Sequence, residues 1–163
     1  MLIEILIESG LAVLAAVVGL VVVTVTIHGF GFSAMIRAMI RSGALATSGF
    51  TRVTLLVIGL TCWLILVHLV EISVWALFYV WQGWLPDAES AFYFSGVTYT
   101  TVGYGDLVLA KPWRMLAPIE ALTGILMCGL SAGFFFALVL RWISNGIREK
   151  TASDHHVAAK ADN

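Results

Sequence analysis

An all-α membrane protein is the fold class that this sequence predicts. The chain has 163 residues, of which 60% are hydrophobic and 12% are charged, whereas about a quarter of the residues in a soluble domain are charged. Three of its stretches are apolar over the roughly 20 residues that a helix needs to cross the hydrocarbon layer of a membrane. Its nine basic and ten acidic residues lack the basic excess typical of proteins that bind nucleic acid.

The first apolar stretch runs from about Leu11 to Ile27. Glu4 and Glu8 precede it, where a cleaved secretion signal would carry basic residues. We therefore interpret residues 1–28 as a retained N-terminal transmembrane helix.

The segment 29–52 is interpreted as a cytoplasmic linker. In a helix its apolar residues would share one face and its arginines another, the apolar set being Met35, Ile36, Met39 and Ile40 and the basic set Arg37 and Arg41. This pattern is typical of an amphipathic helix on the anionic inner leaflet of a membrane, with anionic lipids as partners of the two arginines. A short connector with ordinary cytoplasmic arginines fits the same residues equally well.

The other two apolar stretches frame a more polar region. They run from Val53 to about Trp84 and from about Met115 to Ile143. Residues 85–114 between them are too polar and too rich in glycine to form a fourth span. We expect residues 53–143 to form one domain, and the polar tail 144–163 to be disordered beyond its first turn or two.

The positions of the basic residues predict the orientation in the membrane. Seven of the nine lysines and arginines lie in the linker or from Arg141 onward, and the other two are Lys111 and Arg114. Because cytoplasmic loops are enriched in basic residues, we expect the N-terminus outside and the C-terminus in the cytoplasm, in a plasma membrane of the bacterial inner-membrane type.

One motif stands between the second and third apolar stretches. It reads Thr100, Thr101, Val102, Gly103, Tyr104, Gly105, Asp106. On this string the region from about Val53 to Trp142 resembles the potassium-channel pore family, whose selectivity filter has this signature. The resemblance implies an outer helix, a re-entrant pore helix followed by the filter, an inner helix and a tetrameric pore.

The chemistry of this string fits such a filter. A K⁺ ion that leaves water needs replacement oxygens, which rings of backbone carbonyls from four chains can supply. Gly103 and Gly105 allow the alternating backbone that aims successive carbonyls at one axis. The expected K⁺ sites are at Thr101, Val102, Gly103 and Tyr104, with Gly105 completing the filter. One chain cannot close a ring, so a homotetramer is expected.

Four residues are expected to support the filter: Thr100, Asp106, Tyr93 and Phe94. The pore helix would precede it, with Asp87 and Glu89 near the helix start, where carboxylates favour the helix dipole. By resemblance, Tyr93 and Phe94 form the aromatic pair that braces the filter tyrosine. Many family members have tryptophan at the place of Tyr93, so here the tyrosine hydroxyl would have to be the donor to Asp106.

The third apolar stretch is expected to carry the gate. Alignment with the family puts the inner-helix hinge at Gly124, with Gly129 as the reserve candidate. One helical face below the hinge would line the cavity. It consists of Cys128, Ala132, Phe136 and Leu140. Phe136 would form a hydrophobic constriction. Packing against the second span is the alternative for any of these four residues.

Ionisable and aromatic residues mark the second apolar stretch. His68 and Glu71 lie three residues apart, so they are neighbours on a helix. They are candidates for a pH sensor, and the alternatives are a mutual hydrogen bond or a brace from Glu71 to the pore helix. We expect an outer aromatic belt, formed by Trp75, Tyr79, Trp81 and Trp84.

The sequence as a whole therefore predicts a K⁺-selective channel that conducts passively as a homotetramer. An enzyme is not expected, because no nucleophile and base, metal cluster or phosphate loop occurs at usable spacing. No organic cofactor and no substrate other than K⁺ are expected. The alternative is a nonconducting accessory or scaffold subunit that uses the pore fold for assembly.

Overall fold

The fold is all-α, as predicted. A computed structural model describes residues 2–44, 49–111 and 113–161. Its described residues form the helices α1 (Leu2–Arg41), α2 (Phe50–Trp81), α3 (Ala88–Tyr99) and α4 (Leu116–Ala161), with a 3₁₀ turn at Trp113–Met115 before α4. Three described segments are long and apolar enough to cross a membrane, namely Val13–Arg41, Phe50–Trp81 and Trp113–Ala152.

The first helix differs from the predicted boundary at residue 28. α1 continues to Arg41, so residues 33–41 are its last turns and form neither a separate surface helix nor a connector. Met35 and Met39 are buried in an apolar cluster, which stabilises the helix beyond the predicted end. The helix stops before Gly43, whose φ of 69° is the left-handed conformation common after helix ends.

The fourth helix also differs from the prediction. We expected residues 144–163 to be disordered beyond a turn or two, but α4 continues to Ala161. This segment contains no proline and is rich in alanine and in charged residues of high helix propensity. Extending an existing helix also avoids the cost of nucleation. Residues 162–163 lie outside the described residues.

The chain divides into two compact units, and α1, α2 and α4 contribute to both. Unit 1 comprises residues 2–31 and 66–129. Its core includes Trp75 and Tyr79, which are fully buried, and Trp75 Nε1 donates to Thr24 Oγ1 at 3.0 Å. The predicted aromatic belt is therefore wrong for these two residues, because their face of α2 packs inside the unit. Trp81, in contrast, is 77% exposed.

Unit 2 comprises residues 32–65 and the chain from 130 onward. Its buried centre is apolar and consists of Met35, Met39, Ala44, Leu60, Leu64, Leu138 and Trp142. Trp142 Nε1 donates to the carbonyl oxygen of Ala44 at 2.9 Å, and the rings of Phe32 and Phe134 meet edge to face at 5.0 Å. The units thus combine distant stretches of the chain, whereas the sequence analysis divided it linearly.

Candidate functional site

The helix that precedes the motif begins at a well-formed cap. Asp87 is extended, with φ of −154° and ψ of 168°, and its carboxylate accepts from the Ser90 backbone N–H at 2.8 Å and from the Ser90 hydroxyl at 3.0 Å. These hydrogen bonds lower the pKa of Asp87, so the carboxylate stays charged at the positive end of the helix dipole. This cap fixes the start of α3, and the helix then continues to Tyr99.

The motif is hydrogen-bonded to the last turn of the same helix. The Thr100 N–H donates to the Gly96 carbonyl at 3.1 Å, and the Thr101 N–H donates to the Thr98 carbonyl at 2.9 Å. The Gly103 N–H reaches the Val97 carbonyl at 2.9 Å. These bonds satisfy carbonyls that a helix end leaves free, and they hold the start of the motif against α3.

The backbone of the motif alternates in conformation. φ is positive at Thr101 (62°), Gly103 (53°) and Gly105 (77°), with Val102 and Tyr104 between them. This is the alternation that the two glycines predicted, and it extends to Thr101, where a side chain makes positive φ unfavourable. Val102 and Tyr104 are 52% and 72% exposed in the single chain.

An exposed hydrogen bond joins the end of the motif to α3. The Tyr93 hydroxyl donates to Asp106 Oδ2 at 2.6 Å, the pairing considered from the sequence, and the Leu107 N–H donates to Asp106 Oδ1 at 3.0 Å. The Tyr93 bond is the main cause that lowers the pKa of Asp106. Phe94 is buried, and its ring meets Tyr79 edge to face at 5.2 Å. Its expected contact with Tyr104 stays a prediction.

A buried cluster joins three helices of unit 1 behind the motif. Glu71 Oε1 lies 2.9 Å from His28 Nδ1, and Glu71 Oε2 lies 3.1 Å from His68 Nδ1. The Tyr99 hydroxyl also donates to Glu71 Oε2. The hydrogen bond between His68 and Glu71 and the brace from Glu71 to the pore helix, considered as alternatives, are therefore both present. A sensory role for His68 and Glu71 stays a prediction.

A second buried carboxylate contacts the middle of α3. Glu120 is fully buried and accepts from the Tyr79 hydroxyl at 2.7 Å and from the Ser95 hydroxyl. Ser95 Oγ also lies 3.0 Å from the Ile72 carbonyl oxygen, to which it can donate. Within the described residues, no buried side-chain nitrogen or oxygen lacks a hydrogen-bond partner. The polar contacts behind the motif are thus complete.

His28 and Glu120 were not among the site residues predicted from the sequence. The available signal was the rule already applied to His68 and Glu71, namely that an ionisable residue within an apolar span is a functional candidate. His28 directly follows the first apolar stretch, and Glu120 lies inside the third. Their partners are 43 residues away for His28 and 25 and 41 residues away for Glu120, and no sequence pattern indicates such pairings.

Gly124 is in close contact with the end of α3. A Cβ atom added to it would lie 2.1 Å from the carbonyl oxygen of Tyr99, so only glycine allows this approach. The same addition at Gly129 meets nothing within 4 Å. A hinge at Gly124 or Gly129 stays a prediction, but close packing already explains a glycine at position 124.

The residues of the predicted cavity-lining face of α4 are all exposed in the single chain. They are Cys128, Ala132, Phe136 and Leu140. This exposure argues against the alternative that they pack on the second span. Phe136 is 64% exposed, whereas Phe134 and Phe135 are partly buried against the core of unit 2. Phe136 therefore differs from its two neighbours in the way that a constriction requires.

Residues 65–141 match the model of a family described as "Ion channel". The matched segment begins within α2, contains all of α3 and the motif, and ends within α4. No curated protein and no solved structure matches the chain significantly.

Proposed function

The chain carries an ion-channel family domain over residues 65–141, and from this premise we propose that it is a K⁺-selective channel that conducts passively. The observation that carries the proposal is the alternating backbone of the motif, with positive φ at Thr101, Gly103 and Gly105. Alternation turns successive peptide planes, so that consecutive carbonyl oxygens can point to the same side of the segment. A column of oxygens is what a dehydrated K⁺ ion requires.

In this proposal the ions bind to backbone oxygens of the motif. The carbonyls of Thr101, Val102, Gly103 and Tyr104, with the Thr101 hydroxyl at the inner end, replace the water around K⁺. The ion is cargo, and its passage needs no organic cofactor and no chemical step. The C-terminal end of α3 adds partial negative charge that favours a cation below the filter.

A homotetramer would complete the site. One chain supplies one column of oxygens, whereas an ion on an axis needs oxygens on all sides, and a closed cyclic assembly of identical chains provides them. The exposure of Val102 (52%) and Tyr104 (72%) supports this assembly. Large exposed side chains on an irregular backbone at membrane depth need protein to cover them.

The hydrogen bonds around the motif would keep the filter rigid. The bonds from Gly103 to Val97 and from Tyr93 to Asp106 hold the motif itself against α3. The contacts of Glu71 and Glu120 hold α3, the helix to which the motif is bonded. A filter that discriminates between ions must hold its oxygens in place, and such supporting contacts restrict their movement.

The gate and the membrane orientation form part of the same proposal. Phe136 would close the inner end of the pore by dewetting. The N-terminus would lie outside and the C-terminus in the cytoplasm of a plasma membrane, as the basic residues indicate. Arg37 and Arg41 are exposed, as contact with anionic lipids would require.

Ion flux through the purified protein tests this proposal. In liposomes with an internal K⁺ load, we expect uptake of rubidium and exclusion of sodium. Gly103→Ala should abolish selective flux, because a Cβ atom disfavours the positive φ that aims the carbonyls. Gly59→Ala is the matched control, since a Cβ atom at that helical position meets nothing within 4 Å. Phe136→Ala should raise resting flux, and Phe134→Ala should not.

Two results would contradict the proposal. A measurable current whose reversal potential does not depend on the K⁺ gradient would contradict K⁺ selectivity. Absence of flux in a folded tetramer would favour the nonconducting accessory subunit instead. Equal effects of Gly103→Ala and Gly59→Ala would show that the backbone of the motif does not control conduction.

A further inference from the structure

The cluster around Glu71 contains the residue types of a transition-metal site. His28 on α1 and His68 and Glu71 on α2 each offer one ligand atom, and these atoms all lie within 4.8 Å of one another. The side chains of His28 and Glu71 are 5% and 0% exposed, and that of His68 is 17% exposed. Ionisable residues are rare within apolar spans and mark functional sites there, and here three of them meet at one point.

The separations within the cluster are close to those of a tetrahedral metal site. With metal–ligand bonds of about 2.0–2.1 Å, neighbouring ligands in a tetrahedron lie about 3.3 Å apart. The two nitrogen–oxygen separations here are 2.9 Å, from His28 Nδ1 to Glu71 Oε1, and 3.1 Å, from His68 Nδ1 to Glu71 Oε2. An ion held by the two imidazoles and the Glu71 carboxylate would take the place of the hydrogen atoms that now lie between these groups.

We propose that His28, His68 and Glu71 form a binding site for a divalent transition metal of the Zn²⁺ class. Two imidazoles and one carboxylate suit zinc, cobalt or nickel, whereas calcium and magnesium prefer sites built from oxygens. Each neutral imidazole would coordinate through Nδ1 and carry its proton on Nε2. His68 is the partly exposed member of the three.

The position of the site suggests what a bound ion would do. It would join α1, which lies outside the matched family segment, to α2 inside that segment. Glu71 also accepts from the hydroxyl of Tyr99, the last residue of α3. Thr100 and Thr101 follow directly, so the ion would be one hydrogen bond away from the helix that holds the motif.

Cobalt binding to the purified full-length protein tests the site. In metal-free detergent solution we expect one Co²⁺ per chain with the strong visible absorption of tetrahedral cobalt, displaced by Zn²⁺. His28→Gln and His68→Gln should each weaken binding at least about tenfold, because the loss of an outer-shell partner already costs about 10–100-fold and each variant removes a direct ligand. The control replaces both histidines of the C-terminal segment, His155→Gln with His156→Gln, and should keep the absorption unchanged.

A ligand exchange keeps the test decisive if a glutamine variant folds poorly. His28→Cys supplies a softer ligand at the same place, so we expect retained Co²⁺ binding and a new sulfur-to-cobalt charge-transfer band. Cys62 and Cys128 are present in every variant, and the unmodified protein provides their background. A band that is absent in folded His28→Cys protein would overturn the proposal, as would absorption that disappears only with the tail histidines. Because this assay needs no ion flux, its result is independent of K⁺ selectivity.

Discussion

The two units of the molecule differ in what stabilises their interiors. Of the eight buried polar or charged residues among the described side chains, seven lie in unit 1, and Ser131 is the one in unit 2. Unit 1 holds the two buried carboxylates, Glu71 and Glu120. The centre of unit 2 is built from methionine, leucine, alanine and tryptophan side chains.

This difference follows from the backbone that each unit contains. Regular helices satisfy their own peptide groups, so unit 2 needs chiefly apolar packing at its centre. Unit 1 contains the irregular segment after Tyr99, whose peptide groups and conformation must be held by something else. Glu71 and Glu120 supply hydrogen-bond acceptors to α3, and α3 in turn holds the motif. Polar burial is thus found where irregular backbone requires support.

The largest expected effect contrasts two glycines of α4. Gly124→Ala places a Cβ atom 2.1 Å from the Tyr99 carbonyl oxygen in unit 1, and overpacking of a well-packed interior costs about 1–3 kcal/mol or more. Gly133→Ala in unit 2 meets nothing within 4 Å and should stabilise the helix by up to about 1 kcal/mol. Thermal unfolding in detergent measures both changes. Equal midpoints for the two variants would contradict the close approach at Gly124.

The next effect compares buried hydrogen bonds in the two units. Glu120→Ala removes the acceptor of the Tyr79 hydroxyl, whereas Ser95 can still donate to the Ile72 carbonyl oxygen, and a buried unsatisfied group costs about 1–3 kcal/mol. Glu120→Gln keeps one acceptor oxygen and should lose less. In unit 2, Trp142→Phe removes the donor to the Ala44 carbonyl, for which we expect a loss of about 1 kcal/mol.

Denaturant unfolding of the three variants provides the measurement. We expect the loss of unfolding free energy to fall in the order Glu120→Ala, Glu120→Gln, Trp142→Phe. A larger loss of unfolding free energy for Trp142→Phe than for Glu120→Ala would contradict this order, because unit 2 would then depend more strongly on its polar contact than unit 1 does.

Local features of the sequence predicted much of unit 1. The carboxylate of Asp87 at the start of α3 and the alternation at Gly103 and Gly105 involve residues within a short stretch of chain, whereas the bond between Tyr93 and Asp106 was indicated by the family resemblance. Such features depend on residue type and short spacing, which a sequence displays directly. The membrane spans were predictable for the same reason, since hydropathy is a local property.

Features that depend on distant contacts could not be predicted. α1 continues past residue 28 because Met35 and Met39 find apolar partners in α2 and α4, and no pattern within 29–52 indicates those partners. Trp75 and Tyr79 were assigned to a membrane belt because aromatic residues cluster there, but tertiary contacts bury both. His28 and Glu120 have their partners on other helices.

The smallest expected effect concerns Asp106, which differs from the buried carboxylates in being exposed to solvent. The hydrogen bond from the Tyr93 hydroxyl is the main cause that lowers the Asp106 pKa below its ordinary value of 3.8. Asp106 therefore stays charged to a lower pH than an isolated aspartate. Tyr93→Phe removes the donor and should raise the pKa of Asp106 toward the ordinary value.

The sign of the change in conduction follows from this shift. If the charged Asp106 helps to hold the motif, its support is present above its pKa and lost as the pH falls through it. In Tyr93→Phe the loss of K⁺ conductance on acidification should therefore begin at a higher pH than in the unmodified protein.

The change should be modest, because solvent screens an exposed hydrogen-bonded charge. Conductance in planar bilayers measures it, recorded while the pH is lowered on the side that the proposed orientation makes extracellular. Asp106→Asn is the control: it should remove the part of the acid response that depends on this carboxylate, and adding Tyr93→Phe to it should change nothing further. Superimposable acid profiles for Tyr93→Phe and the unmodified protein would show that this exposed bond does not stabilise the motif in the conformation that the proposal requires.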